Sequence, residues 1–125
     1  QSTLQIGIFT YIRHIYADLQ SALRVSKSVK DSPIFIVKDD YSAGDLKLLL
    51  LSNSIANYEI FTVKAVKGLE FKEVFVFDSN MTNNEKYIAY TRALVKLNVI
   101  KDLPTLTDRN ESHIMQWIED ENIEE

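Results

Sequence analysis

The sequence predicts an α/β layer fold, with a largely parallel sheet covered by helices on both faces. Strand-like and helix-like segments alternate along the chain, and the strand-like ones are mostly unbroken apolar runs, as strands buried on both faces are. A length of 125 residues, 46% of them apolar and 26% charged, supports one domain with a real core.

Residues 4–10, with Ile6, Ile8 and Phe9, read as a buried strand. Ile12, Ile15, Tyr16, Leu19 and Leu23 recur at helical spacing and predict an amphipathic helix over residues 11–27, with Arg13 and His14 facing solvent. Pro33 opens Ile34-Phe35-Ile36-Val37, the clearest strand in the sequence. Ser42 and Asp45 have the spacing of a capping box ahead of a leucine-rich helix through Leu46 and leucines 48–51. Tyr58, Ile60, Phe61 and Val63, interrupted by Glu59 and Thr62, read as a short strand, and Val74-Phe75-Val76-Phe77 as a second unbroken one. Thr82 and Glu85 form another capping-box pair, starting a helix through Tyr87, Ile88, Tyr90, Ala93 and Leu94. Val95, Leu97 and Val99 alternate with Lys96 and Asn98, as a strand with one polar face would, before a break at Pro104. Ile114, Trp117 and Ile118 put an apolar stripe on a final short helix, with Trp117 as its packing anchor.

Composition excludes several chemistries. Gly7, Gly44 and Gly68 are too far apart for G-x-G-x-x-G, and none begins G-x-x-x-x-G-K-[ST], so a triphosphate cannot be cradled by the usual glycine-rich route. His14 and His113 without any cysteine make no structural zinc site. No apolar run approaches the ~20 residues of a membrane helix, and the expected location is the cytoplasm. The net charge of −4 is unevenly spread. Residues 108–125 hold seven acidic residues and one arginine, whereas the rest holds 13 basic and 11 acidic residues. The body is therefore mildly basic, and the overall acidity does not exclude nucleic acid.

Two segments carry candidate chemistry. Residues 62–71, Thr62-Val63-Lys64-Ala65-Val66-Lys67-Gly68-Leu69-Glu70-Phe71, form a polar loop between two strands, at a sheet edge where ligands usually bind. Lys64 and Lys67 suit phosphates, and Glu70 could accept from a sugar hydroxyl. The second segment is Tyr87-Ile88-Ala89-Tyr90-Thr91-Arg92-Ala93, on a helix leading into the last strand. Arg92 is the only arginine between residues 25 and 108, and its fork of donors suits a phosphate. Taken singly, the loop reads more readily as a set of charges in water and the arginine as a surface residue on a helix.

Taken together, T-x-K-x-x-K-G-L-E-F followed by V-F-V-F, then Y-I-A-Y-T-R-A, resembles motifs V and VI of the superfamily 1 DNA helicases of the UvrD/Rep/PcrA type. Those motifs read approximately T-x-H-x-x-K-G-L-E-F and Y-V-A-x-T-R-A. The resemblance covers residues 60–100. It implies a RecA-like three-layer domain over residues 1–107, the second of two that sandwich ATP, lacking the phosphate loop itself, with an acidic helix and tail over residues 108–125. It implies that Arg92 reaches the γ-phosphate across the interdomain cleft as the catalytic group. Glu70 would meet the ribose, Gly68 permit the tight turn beside the nucleotide, and Lys67 stand as the motif lysine. Thr91 would orient Arg92, while Thr62 and Lys64 would face single-stranded DNA. Lys64 departs from the family's histidine there. The implied cofactor is ATP, with Mg2+ held by an N-terminal RecA-like domain, and the implied partners are that domain and single-stranded DNA, with no membrane. Two features of the family have no counterpart: a large accessory domain ahead of motif V, and an arginine before the motif IV strand, which Gln1-Ser2-Thr3 suggests was cut away upstream. The competing expectation is a non-catalytic helicase-like module that binds a transcription or repair partner. A stand-alone Rossmann-like or receiver-like domain explains the alternation of elements but neither motif.

Overall fold

The computed structural model describes residues 2–6 and 9–104. Among the described residues six strands form one sheet in the order β1-β2-β6-β5-β3-β4. They are β1 (Ser2–Ile6), β2 (Phe9–Tyr16), β3 (Ile34–Val37), β4 (Glu59–Thr62), β5 (Phe71–Phe77) and β6 (Ala93–Ile100). Strands β2, β6, β5, β3 and β4 are mutually parallel, and β1 joins β2 antiparallel at the edge.

Helices α1 (Leu19–Val25) and α2 (Asp40–Ser52), with a 3-10 turn at Lys27–Lys30, cover one face. The short α3 (Val63–Val66) and α4 (Asn83–Tyr90) cover the other. The alternation of β5 feeds both cores. Val74 and Val76 pack with Val66, Ala89, Leu97 and Val99 on one side. Phe75 and Phe77 pack with Phe35, Leu46, Leu50 and Ile100 on the other. This is the expected three-layer α/β architecture of a RecA-like domain, with a mostly parallel sheet.

Four local expectations are corrected. The helix expected over residues 11–27 does not exist as one element: residues through Tyr16 belong to β2, and Arg13 and His14 are half-buried on that strand. Burial and the nearby Lys96 charge lower the His14 pKa. The apparent helical spacing arose from two elements serving one core, since Tyr16 of β2 and Leu19 of α1 are buried in the same cluster. Asp18 fixes the true helix start, accepting from the Ser21 amide and hydroxyl, each at 2.8 Å.

The strand read over residues 4–10 is likewise two strands, the ends of β1 and the start of β2; Ile8 lies outside the described residues. Helix α2 is capped by Asp39 rather than Ser42: the Asp39 carboxylate accepts from the Ser42 amide at 2.9 Å, and Asp45 is buried inside the helix. The last helix stops at Tyr90, so Arg92 stands in the turn after it and Ala93 and Leu94 open β6. By contrast the Thr82–Glu85 capping box has both of its hydrogen bonds, at 3.1 and 2.9 Å. The final helix and acidic tail expected beyond residue 104 lie outside the described residues.

Leu46 has no exposed surface and sits in the core beneath α2. Leu46→Ala should cost about 2–5 kcal/mol of stability, as a cavity-forming core truncation does. Leu51 on the same helix is 74% exposed, and Leu51→Ala should change stability by less than about 0.5 kcal/mol. Denaturant unfolding of the two variants checks the assigned face of α2.

Candidate functional site

The chain between β4 and β5 makes one helical turn and then a tight reversal. Lys67 has φ −58° and ψ 132°, Gly68 has φ +85°, and the Leu69 amide donates to the Val66 carbonyl at 3.0 Å. These are the features of a type II turn, whose third residue needs the left-handed backbone that glycine adopts without strain. The turn projects Lys67, Gly68, Leu69 and Glu70 outward as exposed residues directly ahead of β5.

Arg92 reaches this turn from the other segment. Its Nη1 donates to the Leu69 carbonyl at 3.1 Å, its Nε to the Ile88 carbonyl at 3.0 Å and its Nη2 to Thr91 Oγ1 at 3.1 Å. The Thr91 hydroxyl in turn donates back to α4, at 2.8 Å from the Tyr87 carbonyl and 3.1 Å from that of Ile88. The Phe71 amide donates to the Arg92 carbonyl at 2.8 Å, which ties the first residue of β5 to the turn before β6. All three guanidinium partners are neutral, and no carboxylate among the described residues pairs with Arg92. Among the described residues no carboxylate offsets its positive charge, and two of its five N–H donors carry no bond.

The sequence placed residues 62–71 in a single loop at one sheet edge. The structure divides them. Thr62 stands at the carboxyl end of β4, level with Val37 at the end of β3. Its hydroxyl caps α3 by accepting from the Ala65 amide at 3.2 Å, and Lys64 is exposed on that helical turn. Lys67, Gly68 and Glu70 lie at the amino end of β5, where Thr91 and Arg92 also lie. The strand ends that bound this connection, Thr62 and Phe71, are roughly 20 Å apart along the sheet, six residues of extended strand, and α3 with its turn spans that distance. The reason is topological. Strand β5 runs parallel to β4, so the connection must return the chain to the edge from which both strands start.

A second polar group occupies the carboxyl edge and was not singled out from sequence. Helix α2 leaves β3 on one face and α4 leaves β5 on the other, which makes a switch point between neighbouring strands. There Lys38 Nζ pairs with Glu85 Oε1 at 2.8 Å, and that oxygen also accepts from the Thr82 amide at 2.9 Å. The Lys38 hydrogen bond, followed by the Thr82 amide, holds the Glu85 carboxyl below its usual pKa. Asp78, 5% exposed, accepts from the Tyr90 hydroxyl at 2.6 Å and from Lys101 Nζ at 2.8 Å, both on Oδ2. The available signal was a charged residue directly after each buried run, Lys38 after Ile34–Val37 and Asp78 after Val74-Phe75-Val76-Phe77.

A cleft of about 460 Å³ lies between Leu23 and residues 53–57, away from both segments. No group of three or more His, Cys, Asp or Glu among the described residues could hold a metal ion, and no described helix is long and apolar enough to cross a membrane.

Fold and site together define a class: a RecA-like α/β domain presenting, at the amino edge of its sheet, an arginine whose described partners are all neutral. Over 72 residues, 53% of this chain, the sequence is 40% identical to the Gabija protein GajB of Bacillus cereus (strain VD045). That match takes in 14% of GajB, so this chain spans a small part of the length of its relative. No family model and no solved structure matches the chain.

A Cβ on Gly68 would meet nothing within 4 Å, so only the backbone resists substitution there. Gly68→Ala should cost about 1 kcal/mol through the left-handed φ alone, and Gly68→Asn less, as read by thermal unfolding. Glu85, with its lowered pKa, contributes stability above the usual glutamate value of 4.5 that is lost as pH falls through its folded value. The gap in melting temperature between the wild type and Glu85→Gln should therefore be open at neutral pH and close below that value.

Proposed function

We propose that this chain is the C-terminal RecA-like domain of an ATP-dependent DNA helicase of the UvrD type, contributing half of a nucleotide site and inactive alone. The observation that carries the proposal is Arg92, joined through Leu69 to the Lys67–Glu70 turn with no carboxylate among the described residues paired to it. The similarity to GajB supports a helicase-related role at a coarser level.

In this reading ATP lies in the cleft against an N-terminal RecA-like domain, which supplies the phosphate loop and the Mg2+ ligands. The residues here fit the remaining part of the nucleotide. The two free donors of Arg92 suit the γ-phosphate, Lys67 adds positive charge beside it, and exposed Glu70 accepts from the ribose. Thr91 orients the guanidinium through its hydroxyl. An arginine so placed stabilises charge that develops on the transferred phosphoryl group, and its loss typically costs ~10³-fold or more in turnover. Thr62, at the carboxyl end of β4, and Lys64, on the helical turn that follows it, face single-stranded DNA. Lys64 meets the backbone as a point charge. The two faces are linked by α3 and its turn, so closing of the cleft would reach the DNA through this segment.

One observation favours a second reading. Arg92 Nε donates to the Ile88 carbonyl, so the side chain also caps the last turn of α4. A non-catalytic module binding a transcription or repair partner would need Arg92 for that purpose only.

In the intact protein, Arg92→Ala should lower ATP turnover by ~10³-fold or more with binding of ATP weakened far less. Arg92→Lys should recover little, because the ammonium lacks the fork. Near-wild-type turnover in Arg92→Ala, with only a drop in unfolding midpoint, would favour the module. The 125-residue chain alone should hydrolyse no ATP.

A further inference from the structure

We infer that Tyr90 is a positioning residue for Arg92, acting by fixing the C-terminal end of α4 on the buried carboxylate of Asp78. The inference rests on the reading of Arg92 as the phosphate-facing group. Tyr90 occupies the position that the Y-V-A-x-T-R-A pattern leaves unspecified.

The geometry of α4 makes such an anchor necessary. Its eight residues bury only Ala89 fully, while Ile88 and Tyr90 pack partly against the core. A helix held by so little apolar area depends on polar contacts at its ends. At its start the Lys38–Glu85 pair and the capping box fix it to the end of β3. At its finish the Tyr90 hydroxyl donates to Asp78 Oδ2 at 2.6 Å.

Asp78 is a firm attachment point. Its side chain is 4% exposed, and a carboxylate so buried is costly unless it is paired. Lys101 Nζ satisfies that requirement at 2.8 Å, and the Ser79 hydroxyl donates to the Lys101 carbonyl at 2.9 Å, which closes the ends of β5 and β6 together. The phenol therefore connects α4 to the residues that directly follow two central strands.

The guanidinium hangs from the same end of the helix. Arg92 Nε is bonded to the Ile88 carbonyl, and Nη2 reaches the helix through Thr91. Any tilt of the last turn of α4 displaces the Ile88 carbonyl and Thr91 together, and breaks the match between Nη1 and the Leu69 carbonyl. Removing the Tyr90 hydroxyl should therefore leave Arg92 present but misdirected, and an error of about 1 Å can cost about 10²-fold in rate.

The test uses Tyr90→Phe with two readouts. In the 125-residue chain, NMR should show the Arg92 Nε–H exchanging with water about tenfold or more faster than in the wild type. Leu50→Val, which loosens the opposite core, should leave that exchange unchanged at comparable loss of unfolding midpoint. In the intact protein, Tyr90→Phe should lower kcat for ATP about tenfold or more with KM unchanged within about twofold. Asp78→Asn, which keeps an acceptor for the phenol, should retain more turnover than Asp78→Ala. An Arg92 exchange rate in Tyr90→Phe within about twofold of wild type would overturn the inference. The same holds if Leu50→Val reproduces the Tyr90→Phe effect. Because exchange is read without ATP, a faster Arg92 with normal turnover in Arg92→Ala would sink the nucleotide reading instead, and leave Tyr90 as the anchor of the guanidinium alone.

Discussion

Strand β5 lies between β6 and β3 with a helical layer over each face, and from Val74 to Phe77 it has almost no contact with water. A strand in that position must supply apolar side chains to both faces in turn, and Val74-Phe75-Val76-Phe77 does so with small residues toward α3 and α4 and rings toward α1 and α2. The Phe75 and Phe77 rings both pack on Phe35, with centroids 5.6 and 5.8 Å away. Everything of chemical interest is attached to the ends of this strand. The Lys67–Glu70 turn precedes it, Asp78 follows it, and its first amide is bonded to the residue that carries the guanidinium.

The two ends are solvated differently, and the difference decides what each can do. At the carboxyl end of β5 two charge pairs are already made, Lys38 with Glu85 and Lys101 with Asp78. At the amino end the guanidinium is oriented by carbonyls and a hydroxyl that leave its charge intact. Neutral acceptors fix direction without cancelling the field, which is the arrangement that serves an anion arriving from outside.

What could be read from the sequence was what short-range chemistry specifies. The unbroken runs at residues 34–37 and 74–77 and the Thr82–Glu85 box needed no partner distant in the chain, and each stands where the pattern put it. The helix over residues 11–27 failed because Ile12, Ile15 and Tyr16 mimic a helical stripe, although β-branched and aromatic residues in that run favour a strand. The cap of α2 was misplaced by three residues because Asp39 and Ser42 are both good caps, and only the end of β3 at Val37 selects between them. Of the site, the meeting of residues 67–70 with Arg92 could be expected from the paired motifs. The carboxyl-edge network could not, because Lys38 and Glu85 are 47 residues apart and Lys101 and Asp78 are 23 apart. Periodicity carries no information on such pairs.

The outer strand β4 is only four residues long, and it closes the sheet on the side opposite β1. Its free rim therefore offers backbone hydrogen-bonding groups over little more than ~13 Å. That is too short a template to recruit a strand from another molecule, and it ends in Thr62, whose hydroxyl is already committed to starting α3. On this side brevity itself guards the described sheet against edge-to-edge aggregation.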